Sequence, residues 1–456
     1  MGFKDKNIIV VGLAKSGVSA IKTLHELGAK VTITDIKTEA QLVEILNEVK
    51  PYIDSHILGR HPEAIDQYDF AVMSPGVPMD LPFIDQMKSA GVQIIGEMEL
   101  AYKLCKGIFV GITGTNGKTT TTALTGEMFS ASNTPHFVVG NIGIPAVSKA
   151  LECDEHTFMV TEISSFQLET IVDFKAKVAA VLNLTPDHLN RHKTMENYIE
   201  AKARIFENQD EKDALVLNFD DDLTRKLAQN SKGKVHFFSR LTKEGQSAYI
   251  EDDHIKLNCF GDIEDVCAVD DMLIFGRHNE ENALAAALIS RLSGIDVSSI
   301  RLALTRFAGV EHRIEFTGII HDRKFYNDSK GTNPDSTVCA IEAMKQPTHL
   351  IAGGYDKKSD YGPIFDAFNH KIKTLILMGE TKEDIKKVAD ERNFDDVILV
   401  DSMEEAVKAA YKHSSPGDAI LLSPACASWD MYENFEQRGT HFKNCVKALK
   451  VDLGAL

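Results

Sequence analysis

The sequence predicts an α/β protein of three domains, each built on a largely parallel sheet. Two observations support this prediction. A chain of 456 residues is too long for a single hydrophobic core. Short apolar runs of the buried, parallel-strand type alternate with stretches of helical pattern in every part of the chain. We place the domains at residues 1–96, 97–297 and 298–456.

The composition is that of an ordinary soluble protein. Hydrophobic residues make up 43% and charged residues 26% of the chain. A formal net charge of −17 argues against general attraction to the phosphates of DNA or RNA. No apolar run reaches membrane-spanning length and no signal-peptide pattern is visible, so we expect a cytoplasmic protein without membrane insertion. The seven cysteines are scattered, without a Cys-x-x-Cys pair, and are predicted to be reduced thiols.

The first elements of the chain predict a βαβ unit. An apolar strand at 7–12 is followed by a glycine-containing turn, a helix that ends near Gly28, and a second strand at 30–35. Asp35 ends that second strand, where dinucleotide-binding folds often hold a ribose hydroxyl. The turn has Ala14 where the dinucleotide fingerprint has its second glycine, so this signal is weak by itself.

Glycine- and proline-rich turns follow several other predicted strands. The strand at 70–74 runs into Pro75-Gly-Val-Pro78, which is either the edge of a ligand crevice or a plain loop. Further strands are predicted at 157–162, 178–183 and 214–218, and at 348–352, 374–378, 397–400 and 419–422, with added antiparallel strands within 232–275 and a helix at 282–292. Gly353-Gly354 and Ser423-Pro424 put loops at the carboxyl edge of the last sheet.

The most informative motif is Thr-Gly-Thr-Asn-Gly-Lys-Thr-Thr at 113–120. It lies between an apolar run at 108–112 and a helix-like stretch, which is the context of a phosphate-binding loop. Its glycines let backbone N–H groups approach phosphate oxygens, its lysine adds a charge, and the next threonine offers a hydroxyl to Mg²⁺. A strict Walker A loop has glycine where Ile112 stands. An ordinary glycine-rich turn is the alternative, but the adjoining Gly-Lys-Thr favours a nucleoside triphosphate site.

Four polar residues after the phosphate loop are candidates for catalysis. Glu162 ends an apolar strand and can hold Mg²⁺, although a capping glutamate is the alternative. His188 and His192 are four residues apart but do not form a His-Glu-x-x-His zinc motif. We assign His188 to the metal or substrate and expect His192 to make surface hydrogen bonds. Periodicity alone places Lys202 on a solvated helix face. Later polar stretches at 276–282, 311–315 and 326–333 suit nucleotide contacts.

Together these segments resemble the Mur ligases, the ATP-dependent enzymes that form amide bonds in peptidoglycan precursors. The C-terminal stretches 422–430 and 434–439, with Ser74-Pro-Gly76, are most similar to the branch that adds D-glutamate. Trp429 stands where that branch often has a smaller apolar residue. The matching motifs are 114–119, Glu162 with Ser-Ser-Phe-Gln, 183–192, 198–202, 278–282, His312-Arg313 and 327–333, spread over essentially the whole chain.

The resemblance implies a Rossmann-like N-terminal domain for a UDP group, a central P-loop ATPase-like mononucleotide-binding domain and a Rossmann-like C-terminal domain for the incoming amino acid. It implies ATP and two Mg²⁺ ions as cofactors, and UDP-N-acetylmuramoyl-L-alanine and D-glutamate as substrates. A monomer without nucleic-acid partners is expected. In this family the lysine that matches Lys202 is carbamylated, which turns a cation into an anion able to bind Mg²⁺, and we expect the same here.

The resemblance also assigns a role to each candidate residue. Catalysis is implied for Lys118, Glu162, His188 and Lys202, and magnesium binding for Thr119, Glu162, His188 and Lys202. ATP contacts are implied for Gly114, Thr115, Asn116, Gly117, Lys118, Thr119, Thr120, Asn279, Asn282, Arg313, Asp328 and Lys330. The UDP substrate is expected at Lys15, Ser16, Asp35, Lys37, Gly76, Asn141 and His188, and D-glutamate at Lys330, Thr332, Lys357, Ser428 and Phe435. Lys357 has the alternative of lying in a solvated loop.

The expected reaction begins with transfer of the γ-phosphoryl group of ATP to the alanyl carboxylate. The amine of D-glutamate then attacks the acyl phosphate, and closure of a hinge would exclude water from that intermediate. Another Mur or folylpolyglutamate-type ligase is the nearest alternative. More distant ones are a nicotinamide-dependent oxidoreductase, against which the incomplete first fingerprint and the separate ATP loop both argue, and a non-catalytic P-loop regulator.

Overall fold

The apolar run predicted at 7–12 forms the central strand of a five-stranded parallel sheet. We describe residues 2–454 from a computed structural model. The strands are β1 (Asn7–Val11), β2 (Lys30–Asp35), β3 (Ser55–Leu58), β4 (Phe70–Met73) and β5 (Gln93–Gly96), in the order β3-β2-β1-β4-β5. Alternate residues of β1 face opposite sides, and both sides are buried. Because the chain leaves β1 for one neighbour and later returns on its other side, the carboxyl ends of β1 and β4 border a topological switch point.

The second sheet has nine strands and contains the phosphate loop. They are β6 (Ile108–Thr113), β7 (His136–Gly140), β8 (Phe158–Glu162), β9 (Val178–Val181), β10 (Ala214–Asn218), β11 (Lys234–Ser239), β12 (Ala248–Glu251), β13 (His254–Leu257) and β14 (Glu264–Ala268), in the order β14-β13-β12-β11-β10-β9-β6-β8-β7. The antiparallel addition predicted within 232–275 is confirmed for β12, β13 and β14. It is wrong for β11, which pairs parallel to both of its neighbours.

The third sheet has six strands: β15 (Glu315–Ile320), β16 (Arg323–Asn327), β17 (Thr348–Ala352), β18 (Ile372–Leu377), β19 (Val397–Leu399) and β20 (Ala419–Leu422). Their order is β15-β16-β20-β17-β18-β19, and among the described residues of this third sheet only the β15–β16 pair is antiparallel. Sequence analysis did not predict β3, β5, β7, β15 or β16. The two edge strands β3 and β15 are only partly buried and therefore lack a continuous apolar run.

The helices flank these sheets, as expected for a mainly parallel α/β fold. They are α1 (Lys15–Glu26), α2 (Val43–Val49), α3 (Pro82–Ser89), α4 (Glu97–Leu104), α5 (Lys118–Ala131), α6 (Val147–Ala150), α7 (Ser165–Leu168), α8 (Leu189–His192), α9 (Met195–Ala203), α10 (Asp222–Leu227), α11 (Arg277–Leu292), α12 (Val297–Arg306), α13 (Pro334–Ala343), α14 (Gly362–Asp366), α15 (Lys382–Glu391), α16 (Met403–His413) and α17 (Phe435–Asp452). The helix predicted at 282–292 therefore begins earlier, at Arg277.

The chain separates into two compact units. The first unit comprises the chain up to Met272 together with Glu281–Arg306, and the second comprises Leu273–Glu280 and the chain from Phe307. The first two sheets therefore belong to one unit. The boundaries predicted at 96/97 and 297/298 stay predictions.

The structure also describes the state of the cysteines and the character of the helices. All seven cysteines lie in the described chain and are free thiols, which agrees with the prediction of reduced cysteines. Between residues 2 and 454, no helix combines the length and the apolar character needed to cross a membrane.

Candidate active site

The phosphate loop connects β6 to α5, and its backbone requires glycine. Gly114 and Gly117 have φ values of +151° and +84°, which are unfavourable for other residues. A Cβ at Gly117 would lie 2.3 Å from Oδ1 of Asn282, so a side chain there would collide with a residue predicted to contact ATP. Helix α5 begins directly after the loop, at Lys118, and its first N–H groups are available to an anion. The loop therefore has the backbone geometry of a phosphate site.

Asn183 fixes the shape of this loop. Its Oδ1 accepts a hydrogen bond from the backbone N–H of Asn116 at 2.8 Å, and its Nδ2 donates to the carbonyl of Asn116 at 3.1 Å. Its own carbonyl accepts from the N–H of Thr115 at 2.9 Å. The hydroxyl of Thr115 also donates to the carbonyl of Thr185 at 3.0 Å. Sequence analysis included Asn183 in a motif but gave it no site role, because its pairing partners are distant in sequence.

Two lysines converge on one carbonyl of the loop. Lys118 Nζ donates to the carbonyl oxygens of Gly114 and Thr115 at 2.8 and 2.7 Å. Lys202 Nζ, from α9, donates to the same Gly114 carbonyl at 2.7 Å. Periodicity predicted that Lys202 lies on a solvated helix face. This prediction is wrong, because the residue is only 1% exposed. Burial and the neighbouring charge of Lys118 lower the pKa of Lys202 well below its usual value, against the opposite effect of Asp187 and Glu162.

Glu162 ends β8 and presents a buried carboxylate. Its Oε1 accepts a hydrogen bond from Asn141 Nδ2 at 2.8 Å, which joins a predicted metal ligand to a predicted substrate contact. Its Oε2 is buried without a hydrogen-bond partner. A carboxylate oxygen left in this state is costly unless a cation or donor satisfies it. Glu162 is therefore a strong candidate for a metal ligand.

The two histidines of the 183–192 motif both contact the ring of Phe166. His188 has a φ of +53° and is the residue directly before the short helix α8, and its ring centroid lies 4.9 Å from that of Phe166. His192 stacks on the same phenylalanine, with 5.6 Å between ring centroids. The expectation of a surface position is wrong for His192, which is 6% exposed and lies 2.9 Å from the hydroxyl of Ser165. Burial lowers its pKa, so the neutral ring is favoured.

The donor set fits Mg²⁺, which prefers oxygen ligands and the phosphates of a nucleotide. The observation that supports the fit is the unpartnered Oε2 of Glu162. The Thr119 hydroxyl, in the first turn of α5, is the second oxygen donor. His188 would add a nitrogen ligand. Lys202 does not supply an anionic ligand in its unmodified form.

Loops at the edge of the first sheet bring the predicted UDP residues together. Asp35 accepts hydrogen bonds from the N–H groups of Leu13 and Lys37, both at 2.9 Å. It thereby fixes the turn after β1 to the end of β2. The hydroxyl of Ser74 donates to the carbonyl of Gly12 at 2.7 Å, which joins the turn after β4 to the same turn. The predicted contacts consequently lie at or beside three neighbouring loops at the carboxyl edge of the sheet: Lys15 and Ser16 at the start of α1, Asp35 at the end of β2, and Lys37 and Gly76 in the turns after β2 and β4.

The second unit places Asp328 at the end of its strand β16. Its Oδ2 accepts from the hydroxyl of Ser423 at 2.7 Å, and its Oδ1 accepts from the N–H of Ile314 at 3.3 Å. Complete burial raises the pKa of Asp328 to about 6, although the nearby charge of Arg313 opposes this effect. The predicted ATP contacts Arg313 and Asp328 thus lie close enough to interact.

Lys330 and Ser428 lie on two loops that Arg438 joins. The Nζ atom of Lys330 lies 5.0 Å above the ring of Phe435, which places two predicted D-glutamate contacts together. Arg438, on α17, donates to the hydroxyl and carbonyl of Ser329 at 3.0 and 2.8 Å. It also donates to the carbonyls of Cys426 and Ala427, both at 3.1 Å. Sequence analysis included Arg438 in the 434–439 stretch but gave it no site role, because nothing local distinguishes it from other charged residues of α17.

The remaining predicted contacts are more scattered. Lys357 is half-buried on the segment after β17, next to the ion pair between Asp356 and Lys358. Asn279 donates to the carbonyl of Phe275 at 2.9 Å within the second unit. Asn282 belongs to the first unit, where its Oδ1 accepts from the hydroxyl of Thr121 at 3.2 Å.

Comparison with protein families covers most of the chain. Family models match the MurD-like N-terminal domain of Mur ligases at 6–96, the Mur ligase middle domain at 112–290 and the Mur ligase glutamate ligase domain at 312–426. The chain belongs to the Mur ligase family. Mur ligases are ATP-dependent amide ligases of peptidoglycan synthesis that use Mg²⁺, and the predicted family and enzyme class are confirmed.

Full-length relatives make the comparison more specific. A UDP-N-acetylmuramoylalanine–D-glutamate ligase of Clostridioides difficile is 50% identical over 455 residues, covering 99% of this chain and all of the relative. One from Alkaliphilus oremlandii is 48% identical over 453 residues, with the same coverage.

Solved structures confirm the fold expected for this Mur ligase. The UDP-N-acetylmuramate-alanine ligase MurC of Thermotoga maritima aligns with a TM-score of 0.62 at 19% identity, over 98% of this chain and all of the other. A pseudomurein peptide ligase from Methanothermus fervidus aligns with a TM-score of 0.59 at 19% identity, with the same coverage. The predicted three-domain α/β architecture is thereby confirmed. The roles of individual residues stay predictions.

Proposed function

We propose that this Mur ligase adds D-glutamate to UDP-N-acetylmuramoyl-L-alanine in the cytoplasm, with ATP as the phosphoryl donor. The specificity rests on its full-length identity of 48 and 50% with ligases that bear this name. The observation that supports the chemistry is the convergence of Lys118 and Lys202 on the carbonyl of Gly114, close enough to Glu162 for its charge to act on Lys202.

The first step forms an acyl phosphate. An oxygen of the alanyl carboxylate attacks the γ-phosphorus of ATP, and the bond to the bridging oxygen breaks to release ADP. The loop N–H groups and the ammonium of Lys118 would bind the phosphates and neutralise charge as it shifts. Mg²⁺, when bound by Thr119, Glu162 and His188, supplies further charge neutralisation. Asn141, already hydrogen-bonded to Glu162, would orient the sugar-peptide.

The second step forms the amide bond. The amine of D-glutamate attacks the acyl carbon, inorganic phosphate leaves and the amine loses a proton. The two carboxylates of D-glutamate would be bound by Lys330 and Thr332 on one loop and by Ser428 with Lys357 on others. Arg438 supports this role, because its hydrogen bonds join the Lys330 and Ser428 loops. Phe435 would pack beside the substrate and hold Lys330 in place.

Carbamylation of Lys202 would complete the metal site. The neutral amine attacks carbon dioxide, an N–C bond forms and one proton is released, which leaves an anionic carbamate. The reaction requires an uncharged amine, and the lowered pKa of Lys202 meets that requirement. The carbamate would place a negative charge next to the ammonium of Lys118. An unmodified, charged Lys202 would instead repel Lys118. A ¹³C signal from labelled bicarbonate that is absent in Lys202→Ala would test this step.

An assay of ADP release tests the proposed reaction. The purified chain is incubated with ATP, Mg²⁺ and UDP-N-acetylmuramoyl-L-alanine, and D- and L-amino acids are supplied one at a time. We expect ADP and an amide product with D-glutamate only. Release with another amino acid would identify a different ligase of the family, and ATP turnover without an amide product would contradict the proposal.

A further inference from the structure

Arg191 links the two predicted substrate loops of the first sheet to the His188 segment of the second sheet. It lies on α8, three residues after His188, and its Nη2 donates to the backbone carbonyl of Val77 at 3.0 Å. Val77 belongs to the turn after β4 that contains Gly76. Both sheets lie in the first compact unit, so this contact is internal to one body.

The guanidinium is held firmly in this position. Nη2 and Nε donate to the two carboxylate oxygens of Glu169 at 2.5 and 3.4 Å, and the side chains of Arg191 and Glu169 are only 15% and 19% exposed. Its central carbon lies 4.8 Å above the ring of Phe166, the ring that also contacts His188. An arginine with a paired carboxylate and a stacked ring loses little further freedom when it binds a carbonyl.

The turn that Arg191 holds is itself connected to the turn after β1. A methyl group of Val77 lies 2.9 Å from where a Cβ at Gly12 would be, so Val77 packs directly on the glycine. The hydroxyl of Ser74 donates to the carbonyl of Gly12 at 2.7 Å. Lys15 and Ser16 follow that turn as the first residues of α1. The contact of Arg191 therefore reaches Gly76, Lys15 and Ser16 through two short steps.

We propose that Arg191 is a positioning residue that sets the distance between the UDP-binding loops and His188, so that the sugar-peptide carboxylate reaches the phosphate loop. This inference rests on the proposed function for its substrate, but its geometric part does not. Without Arg191, the turn after β4 would keep its place in the sheet but lose its connection to α8.

Arg291 offers a matched control. It donates to both oxygens of Glu264 at 2.8 and 2.9 Å and lies 5.0 Å above the ring of Phe260, with a side chain 23% exposed. Arg291→Ala therefore removes the same kind of ion pair and ring contact from the first unit. Within residues 2–454, Arg291 donates to no residue that is predicted to bind substrate.

Kinetics and hydrogen exchange of the full chain test the inference. We expect Arg191→Ala to raise KM for UDP-N-acetylmuramoyl-L-alanine about tenfold, the effect of one charge-assisted hydrogen bond, and to change KM for ATP less than twofold. Arg191→Lys should fall between wild type and Arg191→Ala. Amides of residues 74–80 should exchange faster in Arg191→Ala than in wild type or Arg291→Ala.

Two results separate the inference from the proposed function. Equal KM values and equal exchange of residues 74–80 in Arg191→Ala and Arg291→Ala would overturn the role of Arg191. The other result has two parts: residues 74–80 exchange faster only in Arg191→Ala, and the wild-type chain shows no D-glutamate ligase activity. This result would support the connection made by Arg191 and reject the proposed function. Thermal unfolding of each variant shows whether it has folded.

Discussion

Lys202 in the first unit and Lys330 in the second are both predicted active-site lysines, but their surroundings differ. Lys202 is buried and donates to the phosphate loop, and its pKa is well below the usual value. Lys330 is half-buried, and its ammonium lies over the ring of Phe435. Burial favours an amine that can react with carbon dioxide, whereas an ammonium on an aromatic face can bind a carboxylate. The predicted roles therefore assign two kinds of chemistry to the same residue type, and the difference in packing supports that assignment.

Removal of Lys202 should have the largest effect and tests this difference most directly. We expect Lys202→Ala to lower kcat about 10³-fold, the loss typical of a preorganised charge at the reacting group. Formate or acetate should restore part of the activity, because a small carboxylate replaces the anion of the carbamate. Lys226→Ala, at an exposed position of α10, is the control. Full activity of Lys202→Ala would remove the metal-site assignment.

Two buried acids allow the pH dependence of each unit to be compared. Burial raises the pKa of Glu97 in the first unit to about 7, from 4.5, and that of Asp328 in the second to about 6, from 3.8. Between those values the unfolded chain has released the proton and the folded chain keeps it. The free energy of unfolding therefore falls as pH rises from about 4.5 to 7 because of Glu97, and from about 3.8 to 6 because of Asp328. At pH values above these ranges, neither acid lowers the free energy of unfolding further.

Glu97→Gln should flatten the first of these two changes. A pKa difference of this size corresponds to about 3 kcal/mol in the free energy of unfolding, spread over the pH range between the two values. The Glu97 carboxylate accepts from the N–H of Val147 at 2.7 Å, a bond that the glutamine oxygen can also accept. Denaturant unfolding at pH 4.5 and 7 measures the change. Asp328→Asn, in the second unit, should leave the difference between the unfolding free energies of the first unit at pH 4.5 and 7 unchanged.

Asn183→Ala tests how far the phosphate loop depends on one side chain. It removes two hydrogen bonds to the partly buried backbone of Asn116, at a cost of about 2 kcal/mol. We expect kcat/KM for ATP to fall about thirtyfold, since the loop loses its preorganised shape. Asn230→Ala, at an exposed turn, is the control. An unchanged kcat/KM would mean that the sheet and the glycines determine the loop conformation without the side chain of Asn183.

Lys330→Ala should have the smallest effect of these variants. Its response to added carboxylates should also differ from that of Lys202→Ala. We expect KM for D-glutamate to rise about tenfold, the contribution of one charge-assisted contact to a carboxylate. Added formate or acetate should not restore activity, because the lost group is a cation. Lys358→Ala, with its exposed side chain, is the control. Rescue of Lys330→Ala by a small carboxylate would erase the contrast between the two lysines.

Sequence determined the features that depend on neighbouring residues. The apolar strand at 7–12, the phosphate loop with its two positive-φ glycines and the strand that ends at Glu162 were all predictable, because strand burial, glycine freedom and strand-end position are local properties. The order of motifs along the chain also predicted the Mur ligase family.

Tertiary structure alone decided which polar residues are buried and what they contact. Periodicity predicted a solvated Lys202, and no local signal places His192 beside Ser165, Asn183 on Asn116 or Arg191 on Val77. Each of these contacts joins segments that are separated in the chain and meet only when strands and helices pack. The pKa of Lys202 follows from that packing, since desolvation and the charge of Lys118 act through space and not along the sequence.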